Sequence, residues 1–256
     1  MLTPDQIKNS FGEDIFAKNP RGALVEYLQY ELLDSLFKQK ESEKLSFIGG
    51  TAIRIVYDSQ RFSEDLDFDN FGLSFEKFGA LLEKTADDMR IKNFEIELRM
   101  VEKMAYHCYI KFPEILFQHK LSPFRDEKIL IRVDTMHKSV DSRPALVTLN
   151  RFGIYRKIFA NPPEIILAQK IIAIFEREKG RDLFDVSYLF SLTNAPDYEY
   201  LKKQGGLRED GLKEKLLKRV GEFDLKKMAK DVEPFLIVPE QIARVETFPE
   251  FIKEKI

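Results

Sequence analysis

Asp65 and Asp67, separated by one leucine, carry the first chemistry that the sequence offers. Side chains alternate along an extended chain, so both carboxylates fall on one face, roughly 6–7 Å apart at the backbone. Two hard oxygen ligands at that spacing can share a divalent cation. Mg²⁺ is the natural occupant, with Mn²⁺ as the alternative ion, because it takes one or two carboxylates and completes its shell with substrate phosphates. The reaction served is phosphoryl or nucleotidyl transfer. Asp134 ends the apolar run 129–133 and joins the pair if its strand neighbours theirs. Taken alone, each feature has a plainer reading, a solvated strand edge for the pair and a turn cap for Asp134.

Upstream, Phe47-Ile48-Gly49-Gly50-Thr51 reads as strand, glycine turn and helix start. Glycines let a backbone approach a phosphate, and the N-terminal N–H groups of a helix favour an anion. An ordinary strand-to-helix turn has the same pattern. Arg54, Arg61 and Ser63 flank the acidic strand, as phosphate contacts or as ordinary solvated and turn-forming residues. Lys170 interrupts an apolar helical face, where a lysine must reach solvent or meet an anion. Arg181 and Asp185, at i and i+4 around Asp182, have the spacing of a helix-surface ion pair. His107, His119 and His137 show no metal-ligand spacing and are assigned no chemistry. Walker-loop and serine-protease patterns are absent from the sequence.

The elements that must position these residues follow from periodicity. Leu24, Leu28, Leu32 and Leu36 recur at a helical period after Asn19-Pro20, predicting an amphipathic helix to about residue 40. A strand is expected at 45–48, a short helix over 51–57, and a half-buried strand over 63–69 with Leu66 and Phe68 opposite the aspartates. Ser74 reads as the N-cap of a helix to about residue 89, followed by strands near 94–101, 104–112 and 128–135. From Pro162-Pro163 the period is helical, with a second helix expected over about 181–192, a break at Gly205-Gly206 and charged helices beyond.

The combination of apolar-Gly-Gly, Asp-apolar-Asp-apolar and a carboxylate ending a later strand is similar to the signature of DNA polymerase beta-like nucleotidyltransferases. The longer string Gly49-Gly50-Thr51-Ala52-Ile53-Arg54, continued by Arg61-Phe62-Ser63-Glu64-Asp65-Leu66-Asp67-Phe68, resembles the AbiEii/AbiGii-type nucleotidyltransferase toxins. These are the toxin halves of bacterial toxin–antitoxin and phage-defence pairs. The segment from Glu164 through Lys170, and then Arg181-Asp182-Leu183-Phe184-Asp185, resembles that family's helical lysine motif and Arg-Asp-x-x-Asp motif. The resemblance spans about residues 45–192.

The resemblance implies an α+β fold, a polymerase beta-like nucleotidyltransferase core over 1–155 followed by a helical C-terminal domain over 156–256. It implies Asp65, Asp67 and Asp134 as metal ligands and, with Lys170 and Asp185, as the catalytic set. Gly49, Gly50, Thr51, Arg54, Ser63, Arg181 and Asp182 would bind substrate. The reaction would move a nucleoside monophosphate from a nucleoside triphosphate to an acceptor hydroxyl, with a tRNA 3′ end as the favoured acceptor and a separately encoded antitoxin as partner. Nucleotidylation of a protein hydroxyl is the nearest alternative. A non-catalytic GTP- or antitoxin-binding module is the alternative from another class.

Composition narrows the setting. Lys and Arg number 41 against 43 acidic residues, so the whole chain carries no bias toward polyanions and nucleic-acid binding must rest on a local site. Cys108 is the sole cysteine, which excludes an intramolecular disulfide and a cysteine zinc cluster. The first residues lack a basic stretch followed by an apolar core, and no uncharged apolar run approaches the roughly 20 residues of a membrane span. A cytoplasmic protein is expected.

Overall fold

The computed structural model describes residues 1–138 and 144–256. The chain divides into two compact units, one of Met1–Tyr57 with Phe62–Ala160, the other of Asp58–Arg61 with Asn161–Ile256.

The first unit opens with α1 (Pro4–Phe11), where Thr3 and Gln6 form a capping box, and continues with α2 (Glu13–Lys18). In α3 (Pro20–Phe37) the Asn19 side chain accepts from the Gly22 amide at 2.7 Å and Pro20 occupies the first turn, which fixes the start the sequence indicates. Then follow β1 (Leu45–Ile48), α4 (Gly49–Ile55), β2 (Leu66–Asn70), α5 (Phe75–Ile91), β3 (Glu97–Glu102), β4 (Tyr106–Phe112), the short α6 (Ile115–Gln118), β5 (Ile129–His137), β6 (Ala145–Arg151) and β7 (Ile154–Ala160). The described strands form one sheet in the order β3-β4-β5-β2-β1-β7-β6. β2 sits between β1, antiparallel to it, and β5, parallel to it.

One sheet face carries the core. Along β5, Ile129, Ile131, Val133 and Thr135 are buried while Leu130, Arg132, Asp134 and Met136 are not, the period-two pattern of a strand covered on one side. Leu66 and Phe68 of β2 share the buried face, and Phe68 meets its register partner Phe47 with ring centroids 5.4 Å apart. Each such side chain contributes about 1.5–3 kcal/mol of burial. α3 departs from the amphipathic expectation because it is buried around its whole circumference. Its acidic residues are paired from afar, Glu26 with Arg54 and Arg151, and Glu31 and Asp34 with Lys92.

The second unit consists of α7 (Pro163–Glu176), α8 (Gly180–Leu189), α9 (Tyr198–Gly205), α10 (Leu212–Val220), α11 (Leu225–Val232), α12 (Ala243–Glu246) and α13 (Phe248–Lys255). α8 starts against α11 at Gly180, where a Cβ would lie 2.2 Å from the Met228 carbonyl oxygen, so only glycine admits this approach. Arg61 joins the unit through an isolated antiparallel bridge to Leu236. Among the described residues no helix is long and apolar enough to cross a membrane.

The mixed sheet with flanking helices and the helical C-terminal region agree with the expected fold. The hairpin of β6 and β7, and the helices α1 and α2, are additions that the sequence reading did not assign. β2 begins at Leu66 rather than 63, and α4 begins at Gly49 rather than Thr51.

Candidate active site

Asp67 and Asp134 are direct register partners on the parallel strands β2 and β5. Residues paired in register point to the same side of a sheet, so the two carboxylates share the face opposite the core. On the far side of Asp134 stands His107 of β4, also a register partner, with its Nδ1 2.9 Å from Asp134 Oδ1. On the near side of Asp67 stands Ile48, after which the chain turns at Gly49 into α4. Gly49 has φ +78°, and a Cβ there would sit 2.3 Å from Asp67 Oδ2. Glycine is therefore required twice, for the left-handed backbone and for the room Asp67 occupies. The Thr51 hydroxyl donates to the Asp65 carbonyl and ties the glycine turn to the residue entering β2.

Asp65 lies one position before β2, and both its carboxylate oxygens accept from Arg132 of β5, Oδ1 from Nε at 3.2 Å and Oδ2 from Nη2. Arg132 Nη1 also stands 3.8 Å from Asp134 Oδ2. The hydrogen bonds to Asp65 hold the guanidinium in its charged form more firmly than usual, reinforced by the charges of Asp65, Asp134 and Asp67. Among the described residues no three His, Cys, Asp or Glu side chains already converge into a cation cage. The donor set still fits a hard divalent ion. Two carboxylates in register supply the oxygens that Mg²⁺ takes from protein, and the glycine turn leaves Asp67 its space.

The first unit thus brings together Gly49, Gly50, Thr51, Asp65, Asp67 and Asp134. Ser63 is held by its backbone, its carbonyl accepting from Gln29 Nε2 at 2.9 Å. Arg54 is placed in the interior, 6 % exposed, with its Nε 2.7 Å from Glu26 Oε2 and its guanidinium over the Phe62 ring. Its charge serves the buried acid of α3.

The second unit gathers Lys170, Asp182 and Asp185 into one buried charge network. Lys170 Nζ lies 3.2 Å from Asp182 Oδ1 and 2.7 Å from Asp185 Oδ2. Arg61 donates to both oxygens of Asp185, Nε at 2.7 Å and Nη2 at 2.6 Å. Arg177 donates to both oxygens of Asp182, at 2.7 and 2.9 Å. Burial pushes the Asp182 carboxyl up, but the charges of Lys170 and Arg177 outweigh it and hold the group down at about 2. Asp185 is likewise lowered, burial being overcome by Arg61 and Lys170. Lys170 therefore meets anions, as an interior lysine must. Arg181 instead lies with its guanidinium 5.5 Å from the Phe235 ring centre, beside a cavity of about 240 Å³ lined with Lys179 and Asp231.

Sequence reasoning missed Arg132 and His107. The period-two alternation of 129–137 did contain the signal for Arg132, two positions ahead of Asp134 on the same face. His107 carried none, because its place beside Asp134 depends on strand pairing.

A family model described as "Nucleotidyl transferase AbiEii toxin, Type IV TA system" matches residues 31–251. The chain belongs to the AbiEii family. It is thus a nucleotidyltransferase toxin, as the motifs implied, and the family model adds the type IV toxin–antitoxin class. No curated protein matches it. Solved structures repeat its fold at low identity. MenT4, a nucleotidyltransferase toxin of Mycobacterium tuberculosis, has a TM-score of 0.62 at 16% identity, covering 99% of this chain and 90% of that one. JHP933 of Helicobacter pylori has a TM-score of 0.55 at 19% identity, covering 92% and 93%.

Proposed function

We propose that this AbiEii protein transfers a nucleoside monophosphate from a nucleoside triphosphate to a hydroxyl at a tRNA 3′ end, with Mg²⁺ or Mn²⁺ held by Asp67, Asp134 and Asp65. The observation that carries the reading is the register pairing of Asp67 with Asp134 beside the Gly49 turn. A divalent ion bound there would neutralise phosphate charge and polarise the acceptor oxygen. The protein's own part is positional. Gly49 and Gly50 bring backbone close to the site, and the N-terminal N–H groups of α4 favour an anionic phosphate. Asp134, oriented by His107, takes the acceptor proton or steers the hydroxyl for in-line attack. The acceptor oxygen bonds the α-phosphorus, the bond to the bridging oxygen breaks, and pyrophosphate leaves. On the strength of the family motifs, Arg181 is proposed to contact substrate, and Lys170, Asp182 and Asp185, locked in their buried network with Arg61 and Arg177, to act by positioning rather than by direct contact. A separately encoded antitoxin would restrain the activity.

The test is incubation of purified protein with total bacterial tRNA, Mg²⁺ and each α-labelled nucleoside triphosphate, with Asp67→Ala as control. Label entering tRNA with wild type and not with the variant supports the reading. Label on protein instead moves the acceptor to a side-chain hydroxyl, and no label in either leaves a binding module.

A further inference from the structure

Two arginine–aspartate pairs in this protein are alike in geometry and opposite in setting. Arg61 and Asp185 are sealed, their side chains 2% and 0% exposed. Arg132 and Asp65 are 44% and 28% exposed, on the open face of the sheet. A buried pair of this kind is permanent, because separating it strands a charge away from water. A half-exposed pair exchanges readily, since water can solvate both partners.

The Arg132 pair also sits where exchange has a consequence. Asp65 and Arg132 each stand two residues before Asp67 and Asp134, and Nη1 of Arg132 reaches to 3.8 Å from Asp134 Oδ2. A guanidinium with one donor on each oxygen of Asp65 occupies two of this carboxylate's lone-pair sites and competes with a cation for its charge. Asp65 is thereby engaged by Arg132, and among the described residues no three acidic side chains converge into a cation cage.

We propose that Arg132 is a resident counter-cation of the acidic site: it holds Asp65 until a divalent ion arrives, and the ion must take this carboxylate from it. The proposal rests on the reading of Asp65, Asp67 and Asp134 as cation ligands. Arg132 then sets the concentration at which the ion loads, independently of nucleotide.

The experiment is Mn²⁺ titration, without nucleotide, followed by the paramagnetic resonance signal of the free ion. The proteins are wild type, Arg132→Met, Arg132→Gln, Asp65→Asn, Asp67→Asn and the double variant Asp65→Asn with Arg132→Met, each checked for wild-type folding by thermal melting. Both Arg132 variants are expected to bind Mn²⁺ about two- to fivefold more tightly, the scale of one exposed ion pair. In the Asp65→Asn background the gain should vanish, whereas simple removal of a nearby positive charge would leave it in place. Affinity unchanged or weakened by both Arg132 variants, or a gain that persists without Asp65, overturns the proposal while a loss in Asp67→Asn keeps the site reading. Mn²⁺ affinity unmoved by Asp67→Asn sinks the site reading and this proposal with it.

Discussion

Arg61 and Asp185 meet through two short hydrogen bonds across 124 residues of sequence, and neither side chain reaches solvent. Removing one partner strands the other charge in the interior. Arg61→Met should therefore cost about 3–5 kcal/mol of stability, read as a fall in the urea midpoint. Arg61→Lys keeps the charge but loses the paired donors, and should fall between that variant and wild type. An unchanged midpoint for Arg61→Met would show that the pair contributes nothing net.

Asp182 gives the protein a defined acid limit. Its carboxyl is held at about 2 against an ordinary value of 3.8, so the charged form is favoured in the folded state. Stability from this group is fully present above about pH 4 and is lost as pH falls toward 2, an amount on the order of 2 kcal/mol. Asp185, lowered in the same direction, steepens the loss. Melting temperatures from pH 5 to 2 check this. Asp182→Asn should begin less stable at neutral pH and decline less over that interval.

Gly49 separates crowding from backbone strain. Ala at this position carries a Cβ 2.3 Å from Asp67 Oδ2 as well as a positive φ, whereas Gly12, at φ +85°, has nothing within 4 Å of the added atom. Both Ala variants should lose about 1 kcal/mol or more to the left-handed backbone. Gly49→Ala alone should also lower nucleotidyl transfer, by about a hundredfold or more, because Asp67 must move. Equal transfer rates for the two variants would remove Gly49 from the site.

His107 is expected to act through Asp134, whose oxygen lies 2.9 Å from its Nδ1. His107→Phe should weaken Mn²⁺ binding by about ten- to a hundredfold, the usual effect of removing the partner that orients a ligand. Titration of Mn²⁺ into the folded variant measures this. An affinity equal to wild type would make the contact incidental.

The strand with Asp67, the glycine turn and the helices from Pro163 were legible because each is written in local alternation or in cap residues. Ser74 did cap the helix it was expected to cap, and Asn19, read only as a boundary with Pro20, caps α3. What escaped was pairing at a distance. Arg132 reaches Asp65 across 67 residues and His107 reaches Asp134 across 27, and no local period encodes either contact. Arg54 shows the same limit from the other side. Beside a glycine motif it looked like a phosphate ligand, yet its partner, Glu26, lies on a helix whose spacing predicted one polar face and whose acids are in fact interior. The β6–β7 hairpin was missed despite β-branched and aromatic residues on both sides of Phe152-Gly153.

The excursion of Asp58–Arg61 into the helical unit has a consequence for how this protein can be taken apart. Expression of 161–256 by itself yields the helices without Arg61, and so leaves Asp185 buried beside Lys170 with its strongest counter-charge missing. Transplanting the helical unit onto another scaffold requires cuts before 58, after 61 and after 160, together with a graft that carries the four-residue loop. A single cut after residue 160 would separate Arg61 from Asp185, so the helical unit is defined by two stretches of sequence and not by one.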